Sequence, residues 1–339
     1  MTAQNHNFYD AATGKINFAA WDADLSQHVK SFRDANFNDA QVGLGFLTPQ
    51  MYRIESEVYQ TRYPSFDYSA LAYVNTEGGL YSVGSVFYSG DIAGQAQFFN
   101  GGAFDMPFAG VSRTQFVQEN HIAGIGYEWN IVELNRAAMV GRNLSSDKAM
   151  AASKVAEQFC YNIFISGSTE KNMQGLINNS AVSEAAATNG TWAAATADEI
   201  LADINEAIQD VDTNTGTVHM ANTLLLPPAK LNYIASQRVG DTNETILAFV
   251  RRNNAYSAVS GQDLTIRAVR DLATAGTGST AQMVAYDNSR EVVQFHLPQP
   301  HQFLPAYQKS STVYEVGGLL NIGGTEIRLP KAITYRYGI

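Results

Sequence analysis

Residues 128–167 read EWNIVELNRAAMVGRNLSSDKAMAASKVAEQFCYNIFISG, and this stretch organises the rest of the chain. Apolar residues in its second half recur three and four positions apart, which predicts a helix with one apolar face. The members of that face are Ala152, Val155, Ala156, Phe159, Cys160, Ile163 and Phe164. Ser145 or Ser146 is suited to cap the helix, and Gly167 is suited to end it. A helix of about 20 residues spans roughly 30 Å, the width of a small domain. We call residues 128–167 the spine segment.

The region before the spine segment is extended and almost uncharged. Residues 63–112 contain no Lys or Arg, and residues 74–112 contain eight glycines. Loosely alternating apolar residues predict a long two-stranded protrusion with its tip near residues 89–108. Because an isolated, uncharged, aromatic hairpin is marginally stable and prone to aggregate, we expect a neighbouring subunit to cover it. The candidate interface residues are Tyr88, Phe98, Phe99, Phe104 and Phe108.

The N-terminal residues 1–45 are polar and show no apolar periodicity. Such a segment cannot bury enough apolar surface to fold alone. It is either a disordered tail or an extended arm that becomes ordered against a neighbour. Residues 113–127 then return as strand into the spine segment.

The region after the spine segment is predicted to be compact and of mixed α and β structure over residues 172–282. Thr196 and Glu199 form a capping box, and the apolar face that follows predicts a helix. We expect a buried strand at residues 219–226, a helix that opens at Pro228, a helix capped by Asp241 and Glu244, and a strand at residues 264–269. The final residues predict strands at 283–286, 291–297, 312–322, 325–329 and 332–337.

Composition excludes several classes of function. The net charge of −10 argues against sequence-specific nucleic-acid binding and against binding to an anionic membrane. No basic and apolar leader is found at the N-terminus, so we expect synthesis in the cytoplasm. The single cysteine, Cys160, is expected to fill the core. Only 16% of residues are charged, which indicates either a surface buried against copies of the same chain or a large β-rich monomer.

We find no catalytic motif and predict no cofactor, metal or catalytic residue. Gly124 and Gly126 lack the third glycine of a dinucleotide site. His296 and His301 flank Leu-Pro-Gln-Pro and are a weak candidate for metal ligands. Asp198, Asp203 and Asp210 match the polar face of an ordinary amphipathic helix, with cation binding or an interface as the alternative.

Several short strings resemble one branch of the tailed-bacteriophage major capsid proteins with the Hong Kong 97-type fold. They cover roughly residues 80–339 and are Asp105-Met106-Pro107, Glu133-Leu134, Gly175-Leu176-Ile177-Asn178, Met283-Val284-Ala285-Tyr286, Leu297-Pro298, Phe303-Leu304-Pro305, Tyr314-Glu315-Val316, Gly323-Gly324 and Arg328-Leu329-Pro330. The resemblance implies an α+β fold with an N-terminal arm and entry segment (1–73), an extended loop (74–112), a peripheral domain (113–171 and 283–339) and an axial domain (172–282).

The resemblance also implies a function. The chain would assemble as hexamers and pentamers into an icosahedral head around double-stranded DNA, without sequence-specific contact to that DNA. Its location would be the virion, and its partners would be copies of itself, with a decoration or scaffolding protein and a portal as further candidates. Some members of the family cross-link through a lysine of the extended loop. No lysine lies between Lys30 and Lys148, so this loop cannot supply that bond.

Two other readings stay open on the sequence. One is an encapsulin-like shell with the same fold, which would enclose a cargo enzyme. The other is an α+β enzyme with a cryptic site, which would occur as a monomer or dimer with convergent polar residues in a pocket.

Overall fold

The computed structural model describes residues 9–10, 15–16, 67–93, 109–139, 144–240 and 242–339. The chain forms two compact units, residues 1–62 and 63–339. The described part of the first unit is an antiparallel pair, β1 (Tyr9–Asp10) with β2 (Lys15–Ile16). All other elements belong to the second unit.

The first half of the second unit contains the predicted protrusion and the spine segment. Its elements are β3 (Tyr73–Asn75), β4 (Gly84–Ala93), β5 (Gly110–Glu119), β6 (His121–Gly124), β7 (Tyr127–Asn130), helix α1 (Ile131–Met139), helix α2 (Leu144–Ser166), β8 (Gly167–Ser168) and β9 (Met173–Gln174). The predicted spine helix is therefore α2, which begins at Leu144. Gly167 ends it in the left-handed conformation, with φ +72°, that favours glycine.

The apolar face of α2 differs from the predicted one. Ala152, Ala156 and Cys160 are buried, whereas Val155 and Phe159 are 48% and 40% exposed. Tyr161 and residues 163–165 are buried, whereas Asn162 and Ser166 are exposed, so the buried face of α2 is wider at its C-terminal end. Val155 and Phe159 lie at the margin of the apolar stripe, on the solvent side, so their assignment to the core was wrong.

The second half of the unit contains helices, two short 3₁₀ turns (Arg270–Ala273 and Pro330–Ala332) and most of the sheet strands. Its elements are β10 (Ser183–Ala186), α3 (Ala197–Thr215), β11 (Thr223–Leu226), α4 (Pro228–Ser236), α5 (Ile246–Arg252), α6 (Ala255–Ser260), β12 (Thr265–Ala268), β13 (Gln282–Tyr286), β14 (Val293–His296), β15 (Gln299–Phe303), β16 (Tyr307–Gln308), β17 (Val313–Val316), β18 (Gly318–Ile322), β19 (Gly324–Ile327) and β20 (Ile333–Tyr337). Helix α3 carries the predicted capping box, and α4 starts at Pro228 as predicted. Helix α5 is capped by Thr245, not by the predicted Asp241 and Glu244.

A five-stranded sheet in the order β10-β20-β13-β11-β12 forms the centre of the core. Helix α3 packs on it through a fully buried face that includes Ile200, Ile204 and Ile208. The predicted boundary between residues 282 and 283 falls inside β13, and β20 pairs with both β13 and β10. The sheet thus joins the segments that the sequence assigned to an axial and a peripheral domain.

Smaller sheets connect the remaining strands to this core. They are β19-β14-β3, β15-β18-β6, β16-β17-β7, β4-β5 and β8-β9. Strand β3 pairs in parallel with β14, and the nearby Leu71 and Ala72 are buried. Leu71 and Ala72 are therefore part of the core. None of the helices among the described residues is long and apolar enough to cross a membrane.

Candidate subunit interface

Strands β4 and β5 form a long antiparallel hairpin, as predicted, but its second strand reaches Glu119, beyond the predicted protrusion (74–112) and into the segment predicted to return to the spine. Ten residues of each strand pair in an unbroken register, from Gly84 with Glu119 to Ala93 with Gly110. Because side chains alternate across a strand, this register sorts them onto two faces. Val86 with Val117, Tyr88 with Gln115, and Val111 share one face, which we call the apolar face; Arg113, opposite Gly90, also lies on it.

The apolar face is open to solvent in the single chain. Val86, Tyr88, Val111 and Val117 are 50–67% exposed. Two-stranded hairpins with such a face are unstable and associate readily, because an apolar side chain gains roughly 1.5–3 kcal/mol when it is fully buried. Burial of this face against another surface would therefore be favourable.

The opposite face of the hairpin contacts the protein body near the base of the hairpin. Phe87 and Phe116 stack across the two strands with ring centroids 5.1 Å apart, and the guanidinium of Arg328 lies 5.1 Å above the Phe87 ring. The side-chain amide of Gln118 donates to the Gly323 carbonyl. These contacts fix which face points away from the body.

Two buried asparagines anchor the base of the hairpin. Asn321 Nδ2 donates to the carbonyls of Gly79 and Ser82, both at 3.0 Å. The backbone amide of Asn120 donates to the Val83 carbonyl at 2.9 Å, and its side chain contacts Ser82. Because Asn321 is fully buried and Asn120 nearly so, these bonds are protected from competition by water. These hydrogen bonds fix the base of the hairpin, and the rest of the hairpin extends away from it.

The structure places one of the five predicted interface residues. Tyr88 lies on the apolar face and is 67% exposed. Phe98, Phe99, Phe104 and Phe108 lie outside the described residues. Sequence analysis missed Val86, Val111 and Val117, which share the face of Tyr88. Their alternation with Tyr88 was visible, but only the cross-strand register shows that both strands contribute to one face.

The two histidines considered as metal ligands each bond a different structural partner through Nε2. His296 Nε2 bonds the Glu326 carboxylate, and Glu326 accepts from Arg328 Nε at 3.1 Å. His301 Nε2 bonds the Ile125 carbonyl at 3.0 Å. The two histidines therefore serve separate contacts. Among the described residues, no three His, Cys, Asp or Glu side chains are grouped as metal ligands.

Cys160 has the environment of a core residue. It is 3% exposed. Burial, and secondly the charge of Glu157, raise the pKa of its thiol to about 11. Since the thiolate is the reactive form, Cys160 is inert at neutral pH.

The hairpin thus leaves an apolar face exposed in the single chain. A family model described as "Major capsid protein" matches residues 94–339. The chain belongs to this family of capsid shell proteins, which are structural proteins and not enzymes. It is a component of the virion capsid. No curated protein sequence matches the chain.

Solved capsid structures share its fold. The capsid protein of Myoviridae phage XM1 superimposes with a TM-score of 0.74 at 18% identity, covering 86% of this chain and 98% of that one. The capsid of a native GTA particle gives 0.60 at 13% identity, over 89% and 99% of the two chains. Microbacterium phage Oxtober96 gives 0.60 at 12% identity, over 87% and 98%. The α+β, Hong Kong 97-type capsid fold expected from the sequence is confirmed.

Proposed function

We propose that this chain assembles as hexamers and pentamers into an icosahedral head around double-stranded DNA, and that the β4–β5 hairpin covers a neighbouring subunit in each contact. The observation that carries the proposal is the apolar face of Val86, Tyr88, Val111 and Val117, which is exposed on a hairpin whose other face contacts the body near its base. Phe98, Phe99, Phe104 and Phe108 are proposed to extend the same contact.

The assignment of domains follows from this arrangement. We propose that β4 and β5 belong to the extended loop, given as 74–112 from the sequence, and that α2 with the strands around it belongs to the peripheral domain. The five-stranded sheet with α3 to α6 forms the axial domain, to which we add β20 because it pairs with β13. This differs from the division by sequence segments, in which all residues after 282 were peripheral.

Packaged DNA would meet a shell that repels it. The net charge of −10 and the eight lysines of the chain leave little basic surface for phosphate. We propose that the head confines DNA without adhesion to it. A decoration protein, a scaffolding protein and a portal remain proposed partners, each to be identified by co-purification with assembled heads.

Adjacent residues of β4 provide a direct test. Tyr88→Glu places a charge on the apolar face, where burial of an unpaired charge costs at least about 3 kcal/mol, or roughly 100-fold in the association constant of each contact. We expect this variant to lose closed shells in negative-stain electron microscopy and light scattering. Ser89→Glu changes the net charge equally, at an exposed position on the other face. It is the matched control and is expected to assemble.

The outcomes test the proposed interface and the capsid function separately. Shells from both variants would show that the apolar face is not an interface. A monodisperse wild-type monomer of 36.9 kDa under all assembly conditions would contradict the capsid function itself.

A further inference from the structure

Charge is strongly segregated within the part of the chain that builds the five-stranded sheet. Between Lys171 and Lys230 there are seven acidic residues and no basic one. Residues 230–270 reverse the balance, with six basic residues and three acidic ones. In a chain of net charge −10, a local excess of basic residues suggests that these residues face an acidic surface.

The acidic residues collect at the β10 edge of the sheet. Glu184 lies on β10 and is exposed. Thr188, two residues beyond β10, donates to Glu206 at 2.6 Å. Arg336 of β20 bonds both Asp210 and the carbonyl of Ala186, the last residue of β10. We define the acidic edge as Glu184, Glu206 and Asp210, together with the exposed Asp198 in the first turn of α3. Arg336 forms ion pairs with both Glu206 and Asp210, so a single cation offsets only part of the negative charge of the edge.

The basic residues collect at the opposite edge, along β12. Arg267 lies on β12, and Arg270 follows it directly. The amide of Leu264 donates to the Arg251 carbonyl at 3.0 Å, which places Arg251 beside the start of β12. We define the basic edge as Arg251, Arg267 and Arg270. All three are exposed, and Arg251 and Arg267 form no ion pair within the described part of the chain.

The two edge strands run in the same direction, which allows a head-to-tail contact between copies. Strand β10 is parallel to β20, β11 is parallel to β12, and both β20 and β11 run antiparallel to β13. The edge strands β10 and β12 therefore run in the same direction. A rotation about an axis roughly parallel to them brings the acidic edge of one copy to the basic edge of the next. Repetition of such a head-to-tail contact closes a ring.

We propose that the basic edge of each subunit docks onto the acidic edge of a second copy of this chain, and that this contact sets the direction of subunits around a capsomer. The inference rests on the proposed capsomer function and adds the surface that closes the ring. Complementary charges of this kind steer association and penalise the wrong orientation, since like edges repel. Nucleic acid is the less suitable occupant of the basic edge, because the net negative charge of the chain repels phosphate at long range.

Charge reversal with rescue tests the proposal. Arg251→Glu with Arg267→Glu makes both edges acidic, and we expect at least a roughly tenfold lower yield of capsomers and shells by analytical ultracentrifugation. Adding Glu184→Arg and Asp198→Arg restores complementarity with the charges exchanged, and we expect it to restore assembly. Lys171→Glu with Arg290→Glu adds the same negative charge at exposed positions away from both edges and is expected to assemble like wild type. Thermal melts verify that every variant is folded.

Each result decides between the possibilities. If the reversed chain assembles like wild type, or the fourfold variant is not rescued, the edge contact is wrong while the capsid function stands. If the reversed chain assembles but its shells no longer retain a short double-stranded DNA in a filter assay, the basic edge contacts nucleic acid and the proposal is overturned. If the wild-type chain forms neither capsomers nor shells, the proposed function fails, and this inference fails with it.

Discussion

At the scale of single residues, Asp203 shows how a local pattern can mislead. Its position on α3 predicts a solvent-facing carboxylate, yet it is 1% exposed. It accepts hydrogen bonds from Trp192 Nε1 at 3.0 Å, from the Asn189 side chain at 2.9 Å and from the Asn189 backbone at 3.2 Å. The loop after β10 folds over the polar face of α3. Helical periodicity identifies the face that meets the sheet but does not report a loop that covers the other side.

Replacing Asp203 should therefore be costly. Asp203→Ala removes a buried carboxylate and leaves the indole N–H of the fully buried Trp192 without its acceptor. We expect the free energy of unfolding to fall by about 3 kcal/mol, measured by urea denaturation. Asp198→Ala, at an exposed position on the same helix, is expected to cost about 0.5 kcal/mol. Equal losses for the two variants would refute the structural role given to Asp203.

At the scale of elements, the existence of the hairpin was the easiest feature to predict from the sequence. The contacts that attach it to the protein body were the hardest. Alternation and the absence of lysine and arginine indicated two strands with an exposed surface, and β4 and β5 confirm the hairpin. Nothing in the sequence marked Asn120 and Asn321 as its anchors, because each meets its partner through distant strand pairing. Val155 and Phe159 of α2 were misplaced for a related reason: spacing defines a stripe, whereas tertiary packing decides its width.

The strands beneath the hairpin contain a buried carboxylate with a clear pH signature. Burial raises the pKa of Glu326, but hydrogen bonds from His296 and Arg328, together with their charges, outweigh it and hold the pKa below the ordinary value of 4.5. A carboxyl group whose pKa is lowered on folding stabilises the protein above its unfolded pKa. That contribution disappears as the pH falls through the folded pKa.

We therefore expect Glu326→Gln to weaken the acid dependence of stability. The free energy of unfolding of the wild-type chain should decrease between about pH 6 and pH 3, and the variant should decrease less over that range. Urea denaturation at each pH gives the comparison, with Glu291→Gln, an exposed carboxylate of the same chain, as the control. Identical pH slopes for Glu326→Gln and wild type would show that Glu326 is not responsible.

At the scale of the whole molecule, the sequence indicated the fold class of the protein. It was less informative about which segments pair in the same sheet. The order of extended loop, spine helix, compact region and returning strands indicated the capsid fold, which the family match and the solved capsids confirm. The same order suggested a clean boundary after residue 282, whereas β13 spans it and β20 returns to the sheet. Strand pairing between residues far apart in sequence is decided by the whole core, and linear segmentation cannot report it.

The apolar face of the hairpin and the two charged edges of the sheet are surfaces that one chain cannot cover by itself. We propose that the apolar face of the hairpin makes contact between neighbours and that the two charged edges set the direction of subunits within a ring. Both features are unfavourable or unused in a monomer, and both have a role when copies surround each other.

The most direct test of the central claim is a cryo-electron microscopy reconstruction of particles assembled from the wild-type chain. We predict five- and six-fold capsomers in which the apolar face of the β4–β5 hairpin, including Tyr88, lies against a neighbouring subunit. A reconstruction in which this face packs onto its own chain or faces solvent would contradict the account.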